Sequence, residues 1–225
     1  MLEETVRQAL YPLGWIASVA FGARVLLQWL GSEWKKECIV TRGYWQISLF
    51  AYILFYLHTF IQFQYHMCLI IGCNGILAWR NLNLMQPKEK HIALSQVLIL
   101  LASSCLATTL FFGIESLSNP TLNWFRIPVT IWQQKEDYAV PLSWTIVGCI
   151  GIALFSSRFW VQWWMAEQKH KSYLSAPFWW ISLVGSILTV SYFSRIKDPI
   201  NVVGPMLGLI PYIRNLMLIY APKKS

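Results

Sequence analysis

Seven apolar stretches of about twenty residues run along this sequence, separated by charged or proline-bearing joints. They cover residues 13–31, 44–63, 66–85, 92–114, 142–165, 178–195 and 200–220. A helix of about 20 apolar residues crosses the hydrocarbon core of a bilayer, and lipid admits only helices or closed barrels as spanning structures. Because these stretches are too long and too evenly apolar for alternating barrel strands, the sequence predicts an all-α polytopic membrane protein with seven transmembrane helices.

The composition excludes several other classes of protein. Of the 225 residues, 56% are hydrophobic and 12% are charged, whereas soluble domains carry about 25% charged residues. The net charge of +8 comes from Lys and Arg in the joints, which argues against nucleic acid as a partner. The five cysteines form no Cys-x-x-Cys pair, so neither a zinc site nor a redox site is expected. No metal or other cofactor is predicted.

The chain repeats itself without a gap at one constant offset, the one that separates Arg24 from Arg158. The matched polar and aromatic residues are Arg24 and Arg158, Gln28 and Gln162, Glu33 and Glu167, Trp45 and Trp179, Arg80 and Arg214, and Asn81 and Asn215. Charged and amide residues are costly inside a membrane, so apolar composition alone does not explain the match. The repeat predicts residues 1–86 as a first three-helix repeat, 87–140 as a linker helix with an external interfacial loop, and 141–225 as a second three-helix repeat.

This 3+1+3 plan also predicts a topology. A single linker helix restores the orientation of the first bundle in the second, which gives parallel repeats about an axis along the membrane normal. Lys and Arg concentrate in the joints after the first, third and fifth stretches and at the C-terminus. By the positive-inside rule, we expect the N-terminus on the outer, periplasmic side and the C-terminus in the cytoplasm.

The matched polar residues predict one site. Arg24 and Gln28 are four residues apart, as are Arg158 and Gln162, so each pair shares a helix face. Each of these arginines lies about nine residues before a glutamate in a joint, and hence about 13 Å inside the cytoplasmic boundary. Guanidinium groups bind phosphate in a bidentate way and stay protonated, so a phosphorylated lipid head group is the expected ligand. The predicted binding residues are Arg24, Gln28, Arg80, Asn81, Arg158, Gln162, Arg214 and Asn215.

A structural interpretation of the same arginines stays open. Arg24 pairs with Glu33 or extends toward the interface in this interpretation. Arg80 and Arg214 then serve as ordinary cytoplasmic anchors.

Other polar and aromatic residues are secondary candidates. Glu33 and Glu167 lie beside lysines, which is typical of solvated joint charges, with a catalytic carboxylate as the alternative. Trp45 and Trp179 fit an interfacial belt, with stacking on a sugar as the alternative. Pro205 and Pro211 interrupt the last stretch and predict a kink or freed carbonyls, which often occur at cavities. The sequence shows no phosphate-binding glycine-rich loop and no Ser/His/Asp set, so no catalytic residues are predicted.

Several motifs in the second repeat resemble those of a known family. They are Arg158-Phe159-x-x-Gln162-Trp163-x-x-x-Glu167-x-Lys169, Phe178-Trp179, Ser182-Leu183-Val184-Gly185, Lys197-Asp198-Pro199 and Tyr212-Ile213-Arg214-Asn215-Leu216. Together they resemble the lipid A biosynthesis N-terminal domain, the membrane module of some lipid-A-disaccharide synthases. The resemblance is strong over the last 80 or so residues and weaker over the first 85, where Gln64-Tyr65 stands in place of Asp198-Pro199. The three-helix plan is also distantly similar to the SWEET and PQ-loop families.

The resemblance implies a role in lipid A assembly at the cytoplasmic face of the bacterial inner membrane. The synthases that carry this module join two acylated glucosamine units, one phosphorylated and one carried on UDP. It therefore implies a phosphorylated glycolipid and membrane lipids as partners, and a synthase domain as a further partner. The nucleotide-sugar domain is not apparent in this sequence, which is either a stand-alone protein or the membrane part of a longer synthase. Two alternatives are a SWEET-like transporter of a sugar or lipid, and an anchor that recruits a soluble glycosyltransferase.

Overall fold

The structure is a computed structural model that describes residues 4–118, 141–195 and 199–222. Within them every regular element is helical, which confirms the predicted all-α class. The helices are α1 (Glu4–Ala9), α2 (Pro12–Lys35), α3 (Arg42–Ile61), α4 (Tyr65–Leu84), α5 (Leu94–Ser118), α6 (Leu142–Lys169), α7 (Ala176–Arg195) and α8 (Pro199–Tyr220), with a 3-10 turn at Lys88–Lys90. The interfacial loop predicted within 87–140 falls largely on residues 119–140, outside the described residues.

Five helical segments are long and apolar enough to cross a membrane. They are Val6–Lys35, Arg42–Ile61, Lys88–Ser118, Leu142–Lys169 and Ala176–Arg195. Among the described residues, α4 and α8 are not in this set. In α4, Arg80 and three asparagines lower the hydropathy. The seven-span 3+1+3 arrangement therefore stays a prediction.

The two long helices that precede the predicted joints end in the same way. Lys36 and His170 occupy equivalent positions of the repeat, and both adopt a left-handed backbone conformation, with φ of 56° and 49°. In each case the next residue donates its backbone N–H five residues back, from Glu37 to Ser32 and from Lys171 to Ala166, at 3.2 Å. These bonds satisfy carbonyls that a helix end leaves without a partner. The repeat seen in the sequence thus recurs in the backbone.

The chain divides into two compact units. The first contains the described residues within 1–21 and 45–134, and the second those within 22–44 and 135–225. In the first unit α4 packs against α5, and Phe63, Cys68 and Phe112 form a buried apolar cluster. A hydrogen bond of 2.9 Å between Tyr56 and Thr108 joins α3 to α5.

In the second unit α6 packs against α7, and α7 against α8. Gly151 and Gly185 lie at a close approach of α6 and α7. A Cβ on Gly185 would lie 2.9 Å from the backbone nitrogen of Phe155, and one on Gly151 would lie 2.9 Å from the backbone nitrogen of Thr189. Small residues of this kind let two membrane helices pack backbone to backbone.

Candidate anion-binding site

A small cavity in the second unit contains the two deepest predicted arginines. Its volume is about 10 Å³, room for about one water molecule. The helices α2, α6, α7 and α8 and the first turn of α3 supply its walls. The lining residues are Arg24, Val25, Gln28, Tyr44, Arg158, Phe159, Phe178, Trp179 and Tyr212.

Arg24 and Arg158 are buried, with 3% and 7% of their surface exposed, and aromatic rings surround them. The Phe159 ring serves both, since its centroid lies 5.0 Å from the guanidinium carbon of Arg24 and 4.9 Å from that of Arg158. Arg158 also lies 3.5 Å from the centroid of Phe155, and Arg24 lies 5.4 Å from that of Tyr44. Each desolvated cation–π contact stabilises a guanidinium by about 1–2 kcal/mol. Several such contacts offset only part of the cost of burying two charges.

Within the described residues, the lining of this cavity is basic: it contains two arginines and no Asp or Glu. Arg158 donates from Nη1 to the hydroxyl of Tyr212 at 3.2 Å. Its buried Nε finds no hydrogen-bond acceptor in the part of the chain that the structure describes. A buried guanidinium with a spare donor is a favourable place for an anion.

The predicted amide residues hold the surrounding backbone. Gln28 and Asn215 exchange hydrogen bonds through both ends of their amides, at 2.9 and 3.1 Å. Gln28 also donates to the carbonyl of Ile39 at 3.0 Å, and Gln162 donates to the carbonyl of Tyr173 at 3.1 Å. Gln162 and Tyr173 are the repeat equivalents of Gln28 and Ile39, so the same bond occurs in both repeats. Both glutamines therefore fasten the loop that follows their own helix.

Arg214 forms an ion pair with Glu33. Its Nε donates to Oε1 of Glu33 and its Nη2 donates to Oε2 at 3.1 Å. Lys36 adds a second cation at 3.3 Å from the same carboxylate. The structural interpretation left Arg24 either paired with Glu33 or extended toward the interface. The partners described for Glu33 are Arg214 and Lys36, and Arg24 lines the aromatic cavity. Glu33 is half-buried and paired, not a simple solvated charge.

Arg80 and Asn81 make their described contacts in the first unit. Arg80 donates from Nη1 to Oδ1 of Asn83 at 2.6 Å and to the carbonyl of Ile92 at 2.8 Å. Asn83 in turn donates to the carbonyl of Lys90 at 2.9 Å and accepts from the backbone N–H of Ile92 at 3.0 Å. Asn81 donates to the carbonyl of Leu77 at 2.9 Å. Arg80 and Asn83 thus fasten the loop between α4 and α5.

The secondary candidate Glu167 differs from its sequence interpretation because its side chain lies on a buried helix face. Glu167 was expected as a solvated joint charge, yet it is 7% exposed and accepts a hydrogen bond of 2.8 Å from the indole of Trp163. That bond gives the carboxylate a polar partner away from water.

The interfacial-belt interpretation of Trp45 and Trp179 is wrong as well. They are 1% and 2% exposed. Trp45 lies on the same face of α3 as the buried Ser48 and Tyr52. The indole of Trp179 donates to the sulfur of Cys38 at 3.2 Å, and burial raises the pKa of that thiol to about 11.

Sequence reasoning missed the aromatic residues that surround Arg158. Phe155, Phe159 and Tyr212 contact Arg158, yet aromatic residues in a membrane helix usually face lipid or other helices. One local signal was present. Phe155 precedes Arg158 by three residues, a spacing that brings two side chains together on a helix.

The first unit has an open groove of a different kind. Its walls come from α3, α4 and α5 and include Leu49, Ile53, Ile76, Trp79 and Leu100. No charged side chain lines it within the described residues. The groove is therefore not a candidate anion site.

Family comparison finds the same repeat. The model of the Lipid A Biosynthesis N-terminal domain matches residues 13–83 and 147–217. The two segments begin at the same offset that relates Arg24 to Arg158, which is the offset that the polar residues indicated. No solved structure matches this chain.

The curated relatives of this chain include lipid-A-disaccharide synthases of chlamydiae. The chain is 36% identical to the lipid-A-disaccharide synthase of Chlamydia caviae, an alignment that covers 100% of this chain and 35% of that protein. It is 37% identical to the lipid-A-disaccharide synthase of Chlamydia abortus, covering 96% and 34%, and 34% identical to that of Chlamydia trachomatis, covering 97% and 35%. The chain thus spans about a third of the length of the curated relatives it matches. With the family model matching well over half of its residues in two copies, the chain belongs to the Lipid A Biosynthesis N-terminal domain family.

Proposed function

We propose that this chain is an integral membrane module of lipid A biosynthesis that binds or presents a phosphorylated acyl-glucosamine lipid at the cytoplasmic face. The family and the synthase relatives support the pathway. The two buried arginines support a phosphate group as the part of the ligand that is bound. We further propose that the module works beside a lipid-A-disaccharide synthase domain.

One observation carries the proposal. Arg24 and Arg158 line a single cavity, and the buried Nε of Arg158 finds no hydrogen-bond acceptor among the described residues. Burying a charge is costly, and an intramembrane arginine is retained where it meets a partner. A phosphate group supplies a negative charge and accepts the bidentate donors of a guanidinium. The spare Nε donor of Arg158 makes this arginine the principal ligand.

The remaining predicted residues receive supporting roles in the proposal. Gln28, Gln162 and Asn215 fix the backbone around the cavity through their amide hydrogen bonds. Arg214 ties α8 to the end of α2 through Glu33. In the first unit, Arg80 with Asn83 holds the loop after α4, and Asn81 bonds to its own helix.

The proposed setting is the bacterial inner membrane, with seven spans in the 3+1+3 plan. The N-terminus is periplasmic and the C-terminus cytoplasmic in this proposal. Five apolar helical segments support membrane insertion, and the Lys and Arg pattern of the joints supports the orientation. We keep residues 1–86, 87–140 and 141–225 as the two repeats and their linker.

Binding of an acylated glucosamine 1-phosphate in detergent micelles tests the proposal. We expect Arg158→Ala to weaken binding by about 10- to 100-fold, the loss of one charge-assisted contact of about 1.5–3 kcal/mol. Arg195→Ala is the matched control, because it removes the same charge from an exposed position at the end of α7. The dephosphorylated lipid should bind wild type and Arg158→Ala alike.

Equal affinity of wild type and Arg158→Ala for the phosphorylated lipid would contradict the site assignment. The anchor alternative would then be favoured if a synthase still co-purified with both proteins. Flux of the lipid into proteoliposomes would favour the transporter alternative.

A further inference from the structure

We infer that Tyr212 is an internal competitor for the anion, whose hydroxyl occupies the place on Arg158 that a phosphate oxygen of the ligand takes. This inference rests on the proposed function and adds a residue that sets the affinity of that site. It is carried by the hydrogen bond of Tyr212, by the size of the cavity and by Gly208.

The hydrogen bond identifies what is exchanged. The Tyr212 hydroxyl accepts from Nη1 of Arg158 at 3.2 Å, and Tyr212 is buried. A neutral hydroxyl is a weaker acceptor for a guanidinium than a phosphate oxygen is, because both partners of the second bond are charged. A phosphate that reaches Arg158 therefore replaces the phenol with a net gain.

The size of the cavity requires a side chain to move. With room for about one water molecule, the cavity does not admit a phosphate group as it stands. Trp179 is fastened through its indole to Cys38, and Phe178 packs against both Phe159 and Trp179. Tyr212 is the lining aromatic residue whose polar end bonds directly to the proposed ligand-binding arginine. Its rotation both frees Nη1 and enlarges the cavity.

Gly208 explains why the phenol rests where it does. It precedes Tyr212 by four residues on α8 and so lies on the same face of the helix. A Cβ at Gly208 would overlap both Cζ and Oη of Tyr212, which no packed structure tolerates. The tyrosine can thus lie along its own helix only because residue 208 lacks a side chain.

The competitor belongs to the second repeat alone. In the register that matches Arg24 with Arg158, Gly208 matches Asn74 and Tyr212 matches Ala78. Arg24 keeps its place on the cavity wall without a tyrosine at the equivalent position of its own repeat. The Tyr212 hydroxyl at Arg158 therefore has no counterpart at the matching position of the first repeat.

Two substitutions test this with the acylated glucosamine 1-phosphate as the probe. Tyr212→Phe keeps the ring and removes the acceptor, so we expect binding to tighten by about 3- to 10-fold. Gly208→Ala displaces the ring and is expected to tighten binding in the same direction. Tyr192→Phe is the matched control, because Tyr192 also lies over a glycine, Gly148, but does not line the cavity. It should leave the affinity unchanged.

The outcomes separate this inference from the proposed function. Weaker binding by Tyr212→Phe would show that the hydroxyl contacts the lipid, and unchanged binding would show that it does not compete; either result overturns the inference. If Arg158→Ala still loses affinity in that case, the proposed function stands. If wild type and Arg158→Ala bind the lipid alike, the proposed function is contradicted, and the inference that rests on it is contradicted too. Tyr212→Phe is conservative enough to give a reading even if Gly208→Ala does not fold.

Discussion

Helices α4 and α8 carry the same Arg-Asn pair in the same repeat register, yet the two arginines bond to different kinds of partner. Arg80 bonds to Asn83 and to a backbone carbonyl of the following loop, whereas Arg214 forms an ion pair with Glu33. The two asparagines behave alike, because each donates to the carbonyl four residues before it. The asparagine bond to its own helix is thus kept in both repeats, whereas the partner of the neighbouring arginine is not.

A single sequence difference explains the change of partner. Asn83, the acceptor for Arg80, is matched by Met217 in the second repeat. Met217 is exposed and is at most a weak acceptor. Arg214 therefore has no asparagine one turn ahead of it and pairs with a carboxylate from another helix.

Asn83→Ala, on the α4 side of this comparison, should produce the largest loss of stability. It removes the acceptor for a buried arginine and two hydrogen bonds of the loop between α4 and α5. We expect the free energy of unfolding in mixed micelles to fall by about 3 kcal/mol. Met217→Ala, at the matched exposed position, should change it by less than about 0.5 kcal/mol.

Asn83→Asp refines the same experiment. It keeps the acceptor for Arg80 and the backbone N–H of Ile92 but loses the donor to Lys90. We expect it to recover at least half of the stability lost in Asn83→Ala. Equal losses in the two variants would mean that Arg80 does not depend on residue 83.

Gln28→Leu should have the next largest effect. Gln28 is the partner of Asn215 on α8 and also fastens the carbonyl of Ile39, so its loss leaves buried polar groups with fewer bonds. We expect a loss of about 2 kcal/mol in the free energy of unfolding. A double-mutant cycle with Asn215→Ala should show coupling of about 1 kcal/mol, and additive losses would contradict the reciprocal amide pair.

The sequence predicted the features that depend on nearby residues. The hydropathy pattern predicted the helices, and the repeat register correctly matched Gln28 with Gln162, whose hydrogen bonds recur at equivalent positions. The sequence did not predict which arginine pairs with Glu33, because helix packing could bring either Arg24 or Arg214 near this carboxylate. The sequence also could not predict that the Phe159 ring contacts both Arg24 and Arg158, or that Trp179 is buried. A sequence pattern does not distinguish a lipid-facing aromatic residue from one that faces another helix.

Glu33→Gln should have the smallest effect on stability, and its dependence on salt makes it informative. The ion pair with Arg214 is partly exposed, with about a quarter of the Glu33 side chain and a third of the Arg214 side chain accessible, so solvent and salt screen it. We expect a small loss in melting temperature at low salt that shrinks as NaCl is raised, because screening weakens the pair in wild type and leaves the neutral variant unaffected. Asn83→Ala should show no such convergence, since Arg80 is buried and the bonds this substitution removes, through the amide of Asn83, involve no carboxylate. A large loss of melting temperature in Glu33→Gln that does not depend on salt would mean that the pair acts as a buried contact. Arg80 and Arg214 would then differ in where their partners lie and not in whether the partner is charged.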